Sequence, residues 1–313
     1  MSDENDDMKI TRRVQEILAN YEGECPGTKA NLARILMHGR LGGTGHVVIL
    51  PVDQGFEHGP ARSFAPNPPA YDPQYHWKLA IDAGLNAFAA PLGMIEAGAD
   101  SFAGAVPVIL KVNSANSLSH VKDQAVTASV KDALRLGCVA VGFTIYPGSD
   151  DQYEMMEELR EIAREAKDAG LAVVVWSYPR GGELKSEDET AIDIVAYAAQ
   201  LASLLGGHII KVKPPTEHIA LDAARKVYQA HGIDVSTLEA RIRHIVQSAF
   251  DGRRMLVFAG GAAKDLAGLL TEIRAVRAGG GTGSIIGRNT FQRPREEALA
   301  MLDQVIDIYK GKA

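Results

Sequence analysis

The sequence predicts an α/β fold, a (β/α)8 TIM barrel with an N-terminal helical extension, from three observations. Short apolar runs alternate with amphipathic helical stretches from about residue 46 onward, the pattern of repeated βα units around a parallel sheet. Eight such runs fall within about 270 residues, the usual span of an eight-stranded barrel. No Gly-x-Gly-x-x-Gly turn follows the first run, so a doubly wound sheet lacks its commonest marker.

The predicted strands cover 46–52, 85–91, 106–112, 140–146, 172–178, 208–213, 254–259 and 284–287. Between them, 150–169 sets Met155, Met156, Leu159, Ile162, Ala163 and Ala166 on one side against Glu and Arg on the other, with Gly170 as the stop signal. Stretches 187–205, 217–231, 237–250, 264–277 and 294–309 do the same for the later units, and their apolar stripes are expected to pack on the barrel wall. Residues 8–39 read as one or two helices ahead of the first strand, closing the bottom of the barrel or forming a subunit contact. The domain reading is therefore an extension over 1–45 and a catalytic barrel over 46–313. Residues 60–75 hold Pro60, Pro66, Pro68, Pro69 and Pro73, so that segment is expected to be a non-helical, semi-rigid flap over the strand ends.

A net charge of −6 leaves no basic surplus to neutralise a phosphate backbone, which argues against nucleic acid and anionic membranes as partners. A small anionic substrate stays open if positive charge is gathered locally. Cys25 and Cys138 stand far apart, giving neither a disulfide framework nor a metal-ligand spacing, and a reducing cytoplasm fits. The acidic start, Met1 to Asp7, is unlike a signal peptide, and no apolar run reaches bilayer length. The histidines show no close pairing at the strand ends, so no metal and no cofactor is expected.

In a barrel of this kind the active site lies at the C-terminal ends of the strands, and reactive residues collect there. The first run ends in Asp53-Gln54-Gly55, the third in Lys111-Val112-Asn113, the fourth in Tyr146-Pro147-Gly148 and the fifth in Trp176-Ser177-Tyr178-Pro179-Arg180. The sixth carries Lys211 and Lys213, which project to one side of the strand while Ile210 and Val212 project to the other. Two ammonium groups in a poorly solvated site disfavour each other's charge, and an unprotonated lysine is the nucleophile of Schiff-base chemistry. The bland reading, a lysine snorkelling to solvent, is weakened by the company the pair keeps. Lys211 would attack a ketone, Asp53 would hold a hydroxyl and shuttle protons, and Tyr178 would protonate the enamine carbon. Trp176 would wall off water, and Lys111 would add positive charge that depresses Lys211 or holds an anion. Chemistry alone leaves open whether Lys211 or Lys213 attacks.

The last two runs carry a second signal. Gly260-Gly261 and Gly287-Arg288 each lead into a helix, and barrels often bind phosphate there through backbone N–H groups and helix N-termini. Arg288 adds a forked donor suited to phosphate oxygens.

Val52-Asp53-Gln54-Gly55, Trp176-Ser177-Tyr178-Pro179-Arg180-Gly181, Ile210-Lys211-Val212-Lys213 and Gly287-Arg288-Asn289 together resemble the archaeal-type, or dehydrin-type, class I fructose-1,6-bisphosphate aldolases over about residues 46–295. The resemblance implies Schiff-base cleavage of fructose 1,6-bisphosphate to dihydroxyacetone phosphate and glyceraldehyde 3-phosphate without metal. By motif match it makes Lys211 the imine former, Tyr178 the proton donor, Asp53 the assisting acid, and Gly260-Gly261 and Gly287-Arg288 the phosphate loops. It also implies a homo-oligomer acting on a small phosphorylated sugar. Two departures bear on the site: Gln54 stands where many relatives have His, and Pro214-Pro215-Thr216 replaces a Tyr-Thr-Gly. The rivals are a sugar-phosphate transaldolase or thiolase-like enzyme on the same scaffold, and a phosphate-binding isomerase without imine chemistry.

Overall fold

The computed structural model describes residues 10–260 and 265–312. Eight parallel strands close into a barrel. They are β1 (Val47–Pro51), β2 (Ala87–Pro91), β3 (Val108–Lys111), β4 (Ala140–Ile145), β5 (Ala172–Ser177), β6 (Ile209–Val212), β7 (Met255–Ala259) and β8 (Gly283–Ile285). Each pairs with the next in sequence, and β1 closes on β8 with Val47 opposite Gly283 and Ile49 opposite Ile285. All eight expected runs are strands.

Because side chains alternate along a strand, the barrel has two apolar layers. Val47, Ile49, Ile109, Val174, Ile209 and Val257 point inward and pack together. Val48, Leu50, Leu110, Val175, Ile210 and Phe258 point outward and meet the helices. The inward set continues upward, by the same period of two, into Lys111, Trp176 and Lys211. The inner layer places these residues, at the open end of the barrel.

The two helices of the extension, Arg12–Ala19 and Pro26–Met37, plug the opposite end. Val14, Ile17, Leu32, Ile35 and Leu36 join the inward-facing layer and so form its floor. Polar ties hold them there. Tyr21 Oη donates to the His208 carbonyl at 2.7 Å, and Asn31 Nδ2 donates to the Gly170 carbonyl at 2.8 Å. Glu24 accepts from Lys167 at 2.7 Å and lies 3.0 Å from His208 Nε2. His208 and the Lys167 ammonium hold the Glu24 carboxyl down at about 2 against the opposing effect of burial.

The Pro-rich segment differs from expectation. Pro60–Phe64 and Pro68–Tyr71 are short helical turns, and Pro73 opens the helix Pro73–Asp82. Pro60, Pro68 and Pro73 each sit at a first helical position, where the missing N–H is not needed and φ is already set. Nor is the segment a detached flap. Asn67 Nδ2 donates to the Phe291 carbonyl at 2.8 Å, Gln292 Nε2 donates to the Ser63 carbonyl at 2.9 Å, and Phe64, His76 and Phe291 pack ring to ring. Smaller differences fall at helix starts. Residues 187–205 divide into a 3-10 turn Asp188–Thr190 and a helix Ile192–Leu204, and the stretch expected from 217 becomes helical only over Asp222–Ala230. A two-residue antiparallel pairing of Asn113–Ser114 with Ala125–Val126, not expected from the sequence, folds the loop after β3 back over the barrel mouth. Among the described residues, no helix is long and apolar enough to cross a membrane.

Candidate active site

The open end of the barrel holds a cavity of about 840 Å³ whose described walls include Asp53, Tyr178, Lys211, Lys213, Gly260 and Arg288. Lys211 rises from β6 into its base and is only 4% exposed. Its Nζ lies 5.3 Å from the Trp176 ring centroid and 5.4 Å from that of Tyr178. Burial pushes the amine down to about 8; Asp53 and Glu57 oppose the shift, and Arg288 and Arg180 reinforce it. About a tenth of such an amine is neutral at pH 7, several hundredfold more than for a free lysine.

Lys213 faces the same side, its Nζ 5.9 Å from the Tyr178 ring, as its spacing from Lys211 predicts. It reaches the rim, where Nζ meets Glu189 Oε2 at 2.7 Å. The expectation that these two lysines share one poorly solvated site is therefore corrected. The strand ends at Val212, and Glu189, on the 3-10 turn beside it, gives the second ammonium a carboxylate of its own.

The lysine that shares the interior with Lys211 is Lys111. It is 2% exposed, and its Nζ lies 5.7 Å from the Trp176 centroid. Burial lowers it to about 8, Asp53 and Glu57 oppose this, and Lys211 adds to it. Nζ donates to Asn113 Oδ1 at 2.8 Å and to the Asn113 carbonyl. Asn113 is itself clamped to β4, accepting from Thr144 N at 2.7 Å and donating to the Thr144 carbonyl at 2.8 Å. That clamp fixes Lys111.

Tyr178, just past β5, is half-buried and lines the cavity. Burial, with Asp53 and Glu57 adding to it and Arg180 opposing, raises its phenol well above the ordinary range, so it stays protonated and can act as a proton donor. Asp53 follows β1 and opens the short helix Gln54–His58.

Four residues after Asp53 on that turn comes Glu57, to which the sequence reading gave no role. Glu57 accepts from Arg180 Nη1 at 3.1 Å, and the Arg180 guanidinium lies over the rings of Tyr146 (5.0 Å) and Tyr178 (5.6 Å). Burial works against the Glu57 charge, but Arg180, helped by His58 and Lys211, holds the carboxyl below its usual range. Gln124 Nε2 donates to the Tyr146 hydroxyl from the folded-back loop. The signal for Glu57 was present: residues four apart on one helical turn share a face, so Glu57 follows Asp53 into the pocket.

On the other wall, Asn289 Nδ2 donates to the Gly260 carbonyl at 2.9 Å, tying the turn after β7 to the turn after β8. A Cβ on Gly287 would lie 2.8 Å from the Pro51 carbonyl oxygen and 2.9 Å from Gln54 Nε2, so only glycine fits there. Arg288 opens the short helix Arg288–Phe291 and lines the cavity. Gly261, the other expected phosphate glycine, lies outside the described residues. The described part of the helix after β7 starts at Leu266, where Asp265 already accepts from Gly268 N at 2.7 Å. That N-terminus is capped by its own side chain, and the stretch in which the phosphate loop is expected, 261–264, lies outside the described residues.

Among the described residues one trio, Glu187, Asp188 and His218, offers ligand atoms within 4.8 Å of one another. It lines a separate depression, and His218 Nε2 is already engaged with Asp188 Oδ1 at 2.9 Å.

Residues 47–293 match the family model described as DeoC/LacD family aldolase. A relative named fructose-bisphosphate aldolase class 1, from Thermoproteus tenax, is 37% identical over 274 residues, covering 86% of this chain and 91% of its own. One named probable fructose-bisphosphate aldolase class 1, from Chlamydia trachomatis serovar D, is 34% identical over 296 residues, covering 89% and 83%. Among solved structures, an archaeal fructose-1,6-bisphosphate aldolase with the catalytic Lys covalently bound to the carbinolamine intermediate of the substrate superposes with a TM-score of 0.73. It is 33% identical, and the match covers 88% of this chain and 99% of that one.

Proposed function

This chain belongs to the DeoC/LacD family of aldolases, and from that premise we propose that it cleaves fructose 1,6-bisphosphate reversibly by Schiff-base chemistry, with Lys211 as the nucleophile. One observation carries the reading: a buried amine brought down to about 8 stands between two aromatic rings at the base of a cavity that gathers Arg180, Lys213 and Arg288. That cavity suits a small, doubly anionic ligand, although the chain as a whole is acidic.

Neutral Lys211 Nζ adds to the C2 carbonyl of the open-chain sugar, and the carbinolamine loses its hydroxyl as water to give an iminium. Asp53, in electrostatic reach of both interior lysines, takes the proton of the C4 hydroxyl. The C3–C4 electron pair then flows into the iminium, glyceraldehyde 3-phosphate leaves, and an enamine of dihydroxyacetone phosphate stays on Lys211. Tyr178 protonates that enamine, and hydrolysis frees the amine. Trp176 excludes water from the imine, and Lys111 keeps the interior electropositive. Gly260, Gly261, Gly287 and Arg288 hold the phosphate nearest C2.

Residues 1–45 serve as an extension to a catalytic barrel over 46–313, and the chain works as a homo-oligomer in the cytoplasm. Two free cysteines, Cys25 and Cys138, support a reducing compartment.

The test is cleavage of fructose 1,6-bisphosphate in the presence of a chelator, read by coupled assays for both triose phosphates. Equal yields of the two, lost in Lys211→Met, are expected. Isomerisation without cleavage, or cleavage that survives Lys211→Met, would overturn the proposal.

A further inference from the structure

A second, much smaller cavity of about 20 Å³ shares Asp53, Glu57 and Tyr178 with the main one and extends into the wall toward Lys111. Its volume has room for one water molecule, since a water needs about 10–15 Å³ by this kind of measure. Three further side chains on its wall, Ser114, Gln124 and Trp176, are 6%, 6% and 1% exposed. Each carries a buried polar atom without a protein partner: Ser114 Oγ, Gln124 Oε1 and Trp176 Nε1. Such atoms are costly singly, and three on the wall of one small hole ask for a common explanation.

Their chemistry is complementary to water. The indole Nε1–H only donates, the Gln124 carbonyl oxygen only accepts, and the Ser114 hydroxyl does either. A single water can accept from Trp176, donate to Gln124 and bond Ser114, which is the usual count for a buried water. The elements that build the hole agree. Ser114 and Gln124 lie at the two ends of the folded-back loop after β3, brought together by the Asn113–Ser114 and Ala125–Val126 pairing, and Trp176 comes from β5.

We propose that this cavity is the exchange site of the reaction water: the water released as the imine forms at Lys211 replaces the one already held there, and the water held there later hydrolyses the imine. The inference rests on the Schiff-base reading above. In the forward step the carbinolamine nitrogen lone pair forms the C=N bond while the C2 hydroxyl leaves with one proton from an acid on the shared wall, as one water. In the return step a water adds to C2 of the iminium and gives one proton back to that wall. With substrate filling the main cavity and Trp176 covering the amine, a neighbouring hole of one-water size spares the site from opening to bulk solvent at each turnover. Ser114, Gln124 and Trp176 are positioning residues in this scheme, since they act through the water.

The first test is a high-resolution crystal structure of the intact protein, in which a solvent peak is expected within about 3.2 Å of Ser114 Oγ, Gln124 Oε1 and Trp176 Nε1. The second is Ser114→Val, whose added methyl groups fill the hole. Its kcat and its rate of forming borohydride-trappable adduct with dihydroxyacetone phosphate should fall by about tenfold or more, with KM little changed, as for loss of an aligned proton-transfer partner. Ser114→Ala, which keeps the hole and two of the three anchors, should recover most of that loss. Should Ser114→Val fail to fold, Gln124→Leu replaces it with the same expectation. An empty hole in the wild type, or a folded cavity-filling variant that forms adduct at the wild-type rate, would overturn the inference. Failure of the Schiff-base reading looks different: no adduct on the wild type, whatever the density shows.

Discussion

Trp176 and Lys211 are register partners on β5 and β6, and the Lys211 Nζ stands over the indole, 5.3 Å from its centroid. Lys111 approaches the same ring at 5.7 Å, so both interior lysines share one tryptophan. The indole fits between the strands because β4 carries Gly142 beside it: a Cβ there would lie 2.5 Å from Trp176 Cζ3. A flat apolar group is thus used to dehydrate an amine, and the predictions follow from that dehydration.

The pH dependence of imine formation should report Lys211. Its amine titrates at about 8, so below that value the single-turnover rate of adduct formation should rise about tenfold per pH unit, then level off above it. Stopped-flow or quench measurements between pH 6 and pH 9 check this. A midpoint near the ordinary lysine value would show that the amine is not dehydrated in the working enzyme.

Lys211→Met should abolish activity and stabilise the fold. A lysine lowered from 10.5 to about 8 by folding binds fewer protons folded than unfolded, so its presence costs stability below pH 8. That cost is relieved as pH rises from 8 to 10.5. At pH 7 it amounts to at most about 3 kcal/mol, and Met fills the same space without it. Denaturant unfolding of both proteins at pH 7 and pH 10.5 should show a gap in favour of the variant that narrows at the higher pH. A variant less stable at pH 7 would contradict the assignment of burial as the dominant cause.

Tyr178→Phe should separate the steps. Without the phenol, the borohydride adduct should still form, while kcat for cleavage falls by roughly a hundredfold or more. Exchange of the C3 proton of dihydroxyacetone phosphate with solvent reads the missing step directly. Exchange at the wild-type rate would assign the proton donor elsewhere.

Glu57→Gln tests the network at the mouth. Glu57 raises the Lys211 value, so its removal should move the rising limb of the pH profile to lower pH. Arg180 loses its carboxylate as well, and because both side chains keep some exposure, 24% and 29%, the loss of stability should be about 2 kcal/mol rather than that of a sealed pair. An unshifted pH profile would show that Glu57 is felt by Arg180 alone.

Much of this was legible in the sequence because a barrel strand is a short, local signal. Eight apolar runs marked the strands, and the period of two that makes Ile209 an inner residue also carries Lys211 inward. Trp176 and Tyr178 follow from Val174 by the same rule. What the sequence concealed was made by contacts between distant segments. Spacing alone pairs Lys213 with Lys211, but Glu189, 24 positions away, claims it at the rim. Arg180 was seen at the end of β5 without a partner, because Glu57 comes from the turn after β1 and Tyr146 from the end of β4. The prolines of 60–75 suggested a loop because proline breaks helices, yet each of Pro60, Pro68 and Pro73 stands where a helix begins.

The most direct test of the account is to incubate the protein with dihydroxyacetone phosphate and a chelator, reduce with borohydride, and map the modified peptide by mass spectrometry. The account predicts one stable adduct, on Lys211, absent in Lys211→Met. An adduct on Lys213 would keep the chemistry and move the nucleophile, whereas no adduct under conditions that trap a control class I aldolase would contradict the Schiff-base claim itself.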